Sequence, residues 1–217
     1  MTDKLFWQDP YRTTLTTRVA RVDGLDVTLE ATVFFAESGG QESDTGRIGG
    51  YRVLAARWQG RELVYTLPPG HALEAGDTVT VEIDWPRRYK LMRLHFAAEI
   101  VLELVTRRLP GVGKIGAHIG EDKARIDFAW PEPLTPMLAE LTRAAQAVID
   151  ADSAIVSAFA DEANERCYWE VAGFGRVPCG GTHLKTTGEV GVLRLKRRNV
   201  GGGKERIEIY IDARLDS

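Results

Sequence analysis

The sequence predicts an α+β fold in two parts. A small N-terminal β-barrel spans residues 1–86, and a domain of antiparallel strands packed on helices spans residues 87–217. Three observations carry this. Short Thr- and Val-rich runs separated by turn residues fill the first part. At Pro86 the apolar spacing changes from alternating to helical. The end of the chain returns to alternation on either side of Gly201-Gly202-Gly203. A chain of 217 residues fits one large domain or two small ones, at roughly 150 residues per domain.

The elements follow in order. Thr13–Val22 and Leu25–Phe34 read as strands, with Asp23-Gly24 as the two-residue turn of a hairpin. Tyr51–Trp58, Glu62–Leu67 and Thr78–Ile83 are further strands, punctuated by Gly60, Pro68-Pro69-Gly70 and Gly76-Asp77. Tyr89–Arg108 carries Leu91, Leu94, Ala98, Val101, Leu102 and Val105 at helical spacing, and Leu109-Pro110-Gly111 ends it. A second helix is expected within Leu134–Asp150, and Ala124–Phe128 reads as a strand between the two. Val190, Val192, Leu193 and Leu195, then Ile207, Ile209 and Ile211, form a closing hairpin with basic flanks.

Composition narrows the class. A hydrophobic content of 44% can fill a core, and 27% charged residues exclude an acidic disordered chain. No apolar run reaches the ~18 residues of a membrane span. The start, Met1-Thr2-Asp3-Lys4-Leu5, lacks a signal-peptide pattern, so a cytoplasmic protein without a membrane partner is expected. Cys167 and Cys179 do not make a disulfide framework. The net charge of −3 hides an asymmetry. Residues 185–206 hold Lys185, Arg194, Lys196, Arg197, Arg198, Lys204 and Arg206 against only Glu189 and Glu205. Such a cluster on a weakly acidic chain suits a small phosphate-rich footprint, although solvated faces look the same.

Four side chains have metal-ligating chemistry. His95 and Glu99 stand at i and i+4, about one turn apart on one face of the first helix. Cys179 and His183 flank Gly180-Gly181-Thr182 in a tight loop. Thiolate and imidazole are good zinc ligands, and a carboxylate is acceptable. Each half alone is weak, since a His-x-x-x-Glu pair is often only a surface pair.

Cys179-Gly180-Gly181-Thr182-His183, followed by Thr187-Gly188-Glu189-Val190-Gly191, resembles the signature of the alanyl-tRNA synthetase editing domain. Gly203-Lys204-Glu205-Arg206-Ile207-Glu208 is similar to its closing hairpin, and Gly116-Ala117-His118-Ile119-Gly120 with Ile126-Asp127-Phe128 also fits. Phe35-Ala36-Glu37-Ser38-Gly39-Gly40-Gln41 with Asp44-Thr45-Gly46 resembles the Gly-rich motif of the free-standing relatives, the AlaX editing proteins. The resemblance covers nearly the whole chain, in order, and its length suits the medium-sized form.

The resemblance implies a trans-editing hydrolase that deacylates tRNA(Ala) mischarged with serine, and possibly glycine, without ATP. An alanine pocket rejects neither well, so a second hydrolytic sieve is useful. It implies one Zn2+ per chain, held by His95, Glu99, Cys179 and His183. The partner would be the acceptor stem and 3′ end of tRNA(Ala), read through phosphates and 2′-hydroxyls. Gly39, Gly40, Gln41, Phe96, His118 and Thr182 fall near the substrate. Gly180 and Gly181 offer backbone N–H groups to an oxyanion. Arg194, Lys196, Arg197, Arg198, Lys204 and Arg206 would meet the tRNA backbone.

One departure matters. The family's helix motif is His-Thr-Ala-Thr-His, and here it is His95-Phe96-Ala97-Ala98-Glu99. Three readings follow. Glu99 is an oxygen ligand, the favoured one, because a carboxylate at i+4 reaches the same volume as an imidazole. Alternatively His95, Cys179 and His183 hold zinc, and Glu99 is a general base acting through water. In the third, zinc is lost, leaving a tRNA-binding module without catalysis. A metal-dependent hydrolase of another small ester or amide is a further alternative. The missing threonines leave the amino acid specificity open, and oligomeric state is not readable.

Overall fold

The computed structural model describes residues 2–212, a sheet-rich α+β chain with two long helices. It forms two compact units. One runs up to Ser38 and includes Glu42–Tyr89; the other takes Gly39–Gln41 and the chain from Lys90 on. No helix among the described residues is long and apolar enough to cross a membrane.

The first unit contains β1 (Asp3–Lys4), β2 (Thr14–Asp23), β3 (Asp26–Leu29), β4 (Ala31–Thr32), β5 (Gly46–Ile48), β6 (Tyr51–Arg52), β7 (Ala55–Gln59), β8 (Glu62–Thr66) and β9 (Thr78–Ile83). Seven of them form one antiparallel sheet in the order β6-β5-β9-β2-β3-β8-β7, while β1 pairs in parallel with β4. Alternation sets the faces. Leu15, Thr17 and Val19 of β2 are buried, and Thr16 and Arg18 are exposed. The β2–β3 turn falls one residue later than expected, because Asp23 pairs with Asp26 and leaves Gly24-Leu25 as the loop. Gly24 takes φ +60°, the glycine-favouring conformation that the first loop residue of a tight hairpin requires.

This unit's core gathers Phe6, Val27, Leu29, Phe34, Phe35, Leu63, Tyr65 and Val81. A fully buried guanidinium crosses it. Arg88 donates to the Val33 carbonyl (2.7 Å), the Pro10 carbonyl (2.9 Å) and both Asp44 oxygens, with Nε to Oδ1 at 2.7 Å. Asp44 Oδ2 also accepts from the Phe35 N–H at 2.7 Å. The buried charge is therefore paired and hydrogen-bonded, the condition under which burial is tolerated. It ties together the two stems of the Gly-rich segment.

Helix α1 (Trp85–Arg108) starts four residues before the expected Tyr89. Pro86 does not delay it, because a proline in the first turn has no N–H to lose. Asp84 Oδ1 accepts from the Arg87 N–H at 3.2 Å, and this caps the start. Leu91, Leu94, Ala98, Val101 and Val105 are buried as their spacing predicts.

The second unit adds β10 (Gly113–Ile119), β11 (Ala124–Ala129), α2 (Thr135–Asp150), β12 (Val156–Asp161), β13 (Arg166–Val171), β14 (Gly175–Pro178), β15 (Val192–Gly201) and β16 (Lys204–Asp212). Two antiparallel sheets form, β10-β11-β16-β15 and β12-β13-β14. The second sheet was not expected. Its outer strand β12 has no fully buried residue, so no clean alternation marks it. On α2, Leu141, Ala145 and Ile149 are buried, and Gln146 Oε1 accepts from the Leu193 N–H of β15 at 2.8 Å.

Candidate metal centre

The centre forms where α1 meets the loop after β14. His95 lies one turn before Glu99 on α1, and Cys179 and His183 bracket the loop. One donor atom from each of His95, Cys179 and His183 lies within 4.8 Å of the others. His95 Nε2 is 3.3 Å from Cys179 Sγ, and the two imidazole rings are 5.2 Å apart.

Glycine permits this approach. A Cβ built on Gly181 would sit 1.8 Å from His95 Cε1, so only glycine lets the loop close on the imidazole. Gly180 has open space around its Cα. The following Thr187-Gly188-Glu189-Val190 forms a single capped turn. Glu189 Oε1 accepts from the Lys185 and Thr186 N–H groups at 2.9 and 3.0 Å, so this stretch of the signature is structural.

Gln41 completes the setting. Gly40 rests against β10, where its carbonyl accepts from the Ile119 N–H at 2.7 Å. A Cβ at Gly40 would lie 2.6 Å from the Ala117 carbonyl oxygen. Gln41 is fully buried. Its Oε1 accepts from the Thr182 N–H (3.2 Å) and lies 2.5 Å from His95 Nδ1, while its Nε2 donates to Thr182 Oγ1 (2.9 Å). A backbone N–H can only donate, so Oε1 must be the acceptor and His95 Nδ1 a donor. That leaves His95 Nε2 aimed at Cys179. Ser157 Oγ likewise occupies His183 Nδ1 at 3.1 Å.

His183 Nε2 is buried and has no hydrogen-bond partner among the described residues. An orphaned imidazole nitrogen facing a thiol and a second imidazole is the donor set of a zinc-type cation. Both rings have their far nitrogen held, as metal-binding histidines usually do. The residues therefore fit a divalent cation. Electrostatics agrees. Burial opposes ionisation of Cys179, but His95 and His183 outweigh it and bring the thiol down to about 6. Burial also opposes charge on His95, yet Cys179 and Glu99 raise it well above the ordinary imidazole range. Cys167, half buried and beside the Cys179 charge, is pushed up to about 11.

Glu99 stands beside this trio and outside its compact set. Oε1 is 3.6 Å from His95 Nε2, and Oε2 accepts from the Trp169 indole N–H at 3.0 Å. Burial raises its pKa, and His95 more than reverses that, holding the carboxyl well below the usual range. Trp169 is fully buried on β13 and packs edge-on against Phe96 at 5.2 Å. Phe96 is fully buried, with its ring 6.2 Å from that of His183. In sequence the five tryptophans, scattered through both halves of the chain, read as packing. The buried indole N–H, which needs an acceptor, was the missed signal.

The remaining expected residues scatter. Gln41 and Thr182 are buried at the centre and Gly40 rests on β10, whereas Gly39 is exposed. His118 is half-buried on β10, opposite Arg125. Arg194, Lys196 and Arg198 are exposed on one face of β15, whereas Arg197 turns to the other and binds both Glu205 oxygens at 2.6 Å. Arg206 donates to Asp127 at 2.6 Å, and Lys204 is exposed at the hairpin end. A cleft of about 250 Å³ between α1 and α2 is lined by Leu104, Arg107, Arg108, Met137, Glu140, Leu141 and Ala144 and holds none of the metal-ligating groups.

A mixed α+β fold carrying a His–Cys–His set defines a protein with a candidate metal centre. Residues 171–208 match the family described as the threonyl and alanyl tRNA synthetase second additional domain. The chain is 31% identical to alanyl-tRNA editing protein AlaX-M of Pyrococcus horikoshii, over 98% of this chain and 99% of that protein. It is 30% identical to AlaX-M of Methanosarcina barkeri, over 95% and 98%. It is 32% identical to alanine–tRNA ligase of Pyrobaculum aerophilum, over 90% of this chain and 25% of the ligase. The chain belongs to the AlaX-M family of alanyl-tRNA editing proteins.

Proposed function

We propose that this chain is a cytoplasmic trans-editing hydrolase that removes a wrong amino acid, serine or glycine, from tRNA(Ala). The observation that carries this reading is the convergence of His95, Cys179 and His183, with an unpartnered buried Nε2, in a chain matching AlaX-M proteins nearly end to end. One zinc ion per chain is the cofactor, and when bound it supplies Lewis acidity beside the ester. Glu99 Oε1 is the fourth donor, its second oxygen being engaged by Trp169.

The chain's own groups do the rest. Gln41 and Ser157 hold the two imidazoles in the ligating tautomer. The backbone N–H groups of Gly180 and Gly181 face the developing oxyanion. Phe96, with His118 and Thr182, belongs to the amino-acid side, where an aromatic wall replaces the family's threonine and shifts selectivity toward small, less polar groups. The seven-stranded sheet acts as a small barrel, since strands from both ends of its ladder pack on one buried cluster. We set the domain boundary at residues 86–87, in the first turn of α1 and three residues before the division between the two compact units.

A second reading has a specific support. The compact donor set omits Glu99, which favours three ligands, with Glu99 Oε1 taking the proton of the attacking water. Deacylation of serylated and glycylated tRNA(Ala), run beside metal analysis, tests the proposal. Hydrolysis of either substrate with close to one zinc per chain is expected. RNA retention without hydrolysis overturns it in favour of a binding module, and hydrolysis of simple esters alone points to another hydrolase.

A further inference from the structure

The β10-β11-β16-β15 sheet has one buried face and one open face, and register assigns every side chain to one of them. Leu193, Leu195, Ile126, Phe128, Ile207 and Ile209 are buried on the inner face. On the other, Arg194 stands opposite Tyr210, Lys196 opposite Glu208, and Arg198 opposite Arg206. Arg125 stands opposite Glu208 and Asp127 opposite Arg206. Lys123 reaches the same face, donating to Glu208 at 2.6 Å. Lys204 and Asp212 of β16 share this face too, so seven basic side chains share a surface with three carboxylates, on a chain whose net charge is −3.

Asp127 and Glu208 are already engaged. Asp127 takes Arg125 and Arg206, and Glu208, itself nearly buried, takes Lys123 and lies 3.6 Å from Arg198. Arg194 and Lys196 instead lie over the Tyr210 ring, at 4.5 and 5.2 Å from its centroid. An aromatic face holds a cation in place without cancelling its charge. Arg194, Lys196 and Arg198 repeat every second residue, about 6.8 Å apart along an extended strand. An ordered row of positive charge with a surplus of four suits a regular polyanion.

We propose that this open sheet face is where the chain holds the phosphate backbone of duplex RNA. This rests on the reading above that the substrate is a tRNA. The row excludes Arg197, which is committed to Glu205 on the inner face, and includes Lys123 and Arg125, which lie outside the basic segments of the sequence. The face also borders the centre along the chain. His118 shares it with Arg125, and the next residue, Ile119, bonds the Gly40 carbonyl beside Gln41.

The test is retention of uncharged tRNA(Ala) transcript by the full chain across a salt series. The triple variant Arg194→Gln, Lys196→Gln, Arg198→Gln is compared with Arg18→Gln, Arg21→Gln, Arg52→Gln, which removes the same charge from exposed sites of the first unit. At about 0.1 M salt the sheet triple is expected to bind at least tenfold more weakly, with the salt slope reduced by about 2 to 3. The control triple should stay within twofold of the parent. Equal losses in both, or parent-like binding by the sheet triple, overturn the proposal. So does a sheet triple that changes sedimentation but not RNA retention, because the face would then seat a second copy. A thermal melt verifies folding, and the single Arg198→Glu variant gives the same comparison if the triple melts early. A parent chain that retains no tRNA at all overturns the underlying reading instead.

Discussion

Gln41 Oε1 sits 2.5 Å from His95 Nδ1, and the same oxygen takes the Thr182 N–H from the metal-site loop. One amide therefore sets both the tautomer of the proposed α1 ligand and the position of the loop that carries the two other proposed ligands. Removing it as Gln41→Ala should weaken cation binding by about 10–100-fold, the range for lost outer partners of metal ligands. Competition against a chelator measures this. Parent-like affinity would show that the contact is incidental.

Cys179→Ala should abolish both metal content and deacylation. Against the opposing effect of burial, its two imidazole neighbours lower the thiol to about 6, and it is the one group of the trio that can ligate as an anion. Elemental analysis and an assay on serylated tRNA(Ala) check the two halves together. A fully active variant would remove the metal-site argument.

Glu99→Gln separates the two roles open to that carboxylate. As a ligand, its loss should lower cation affinity and change the visible absorption of a cobalt-substituted chain. As a proton acceptor, its loss should leave both intact and reduce kcat alone. Trp169→Phe frees Oε2 while keeping an aromatic ring. A buried hydrogen bond to a charged group contributes about 1.5–3 kcal/mol, so a melting point several degrees lower is expected. Little change in melting would mean that the indole bond is dispensable.

Arg88→Met removes the cation from a wholly buried pair and leaves Asp44 uncompensated. Breaking such a pair costs about 3–5 kcal/mol, and the Val33 and Pro10 carbonyls also lose their donor. Urea unfolding should register the loss. A drop under 1 kcal/mol would place water in the vacated space.

Acid should loosen the second unit through Glu205. Its carboxyl is held below the usual range by Arg197 against the opposing effect of burial, and Oε2 accepts from the Leu134 N–H at the start of α2. A carboxyl lowered on folding stabilises above its unfolded value of about 4.3. That contribution is lost as pH falls through the lower folded value. Stability should therefore fall below about pH 4, and Glu205→Gln should flatten this limb of a melting-point-against-pH curve. An unchanged limb would assign acid lability to other carboxylates.

Much of this was legible in sequence where a local rule acts alone. Helical spacing located α1 and α2, and alternation located β2 and the closing β15–β16 hairpin. The i,i+4 step and the Gly-Gly loop named His95, Cys179 and His183, which meet at the centre, and Glu99, which stands beside them. What escaped depended on partners distant in sequence. Gln41 reads as a residue near the substrate, and its hold on His95 emerges only when Gly40 is seen against β10. Trp169 reads as packing until its N–H is followed to Glu99. The direction of Arg197 is fixed only by the β15–β16 register, which turns it to Glu205 while its two neighbours face outward.

The indole that grips Glu99 is also a fluorophore. The chain has five tryptophans, and this one is sealed from solvent with its N–H on a carboxylate at the metal trio. A cation at the proposed site would draw electron density from that carboxylate and so alter the field across the ring. Its capture and release would then carry their own optical signal, and replacing Trp7, Trp58, Trp85 and Trp130 with phenylalanine would leave a single emitter to follow them in real time.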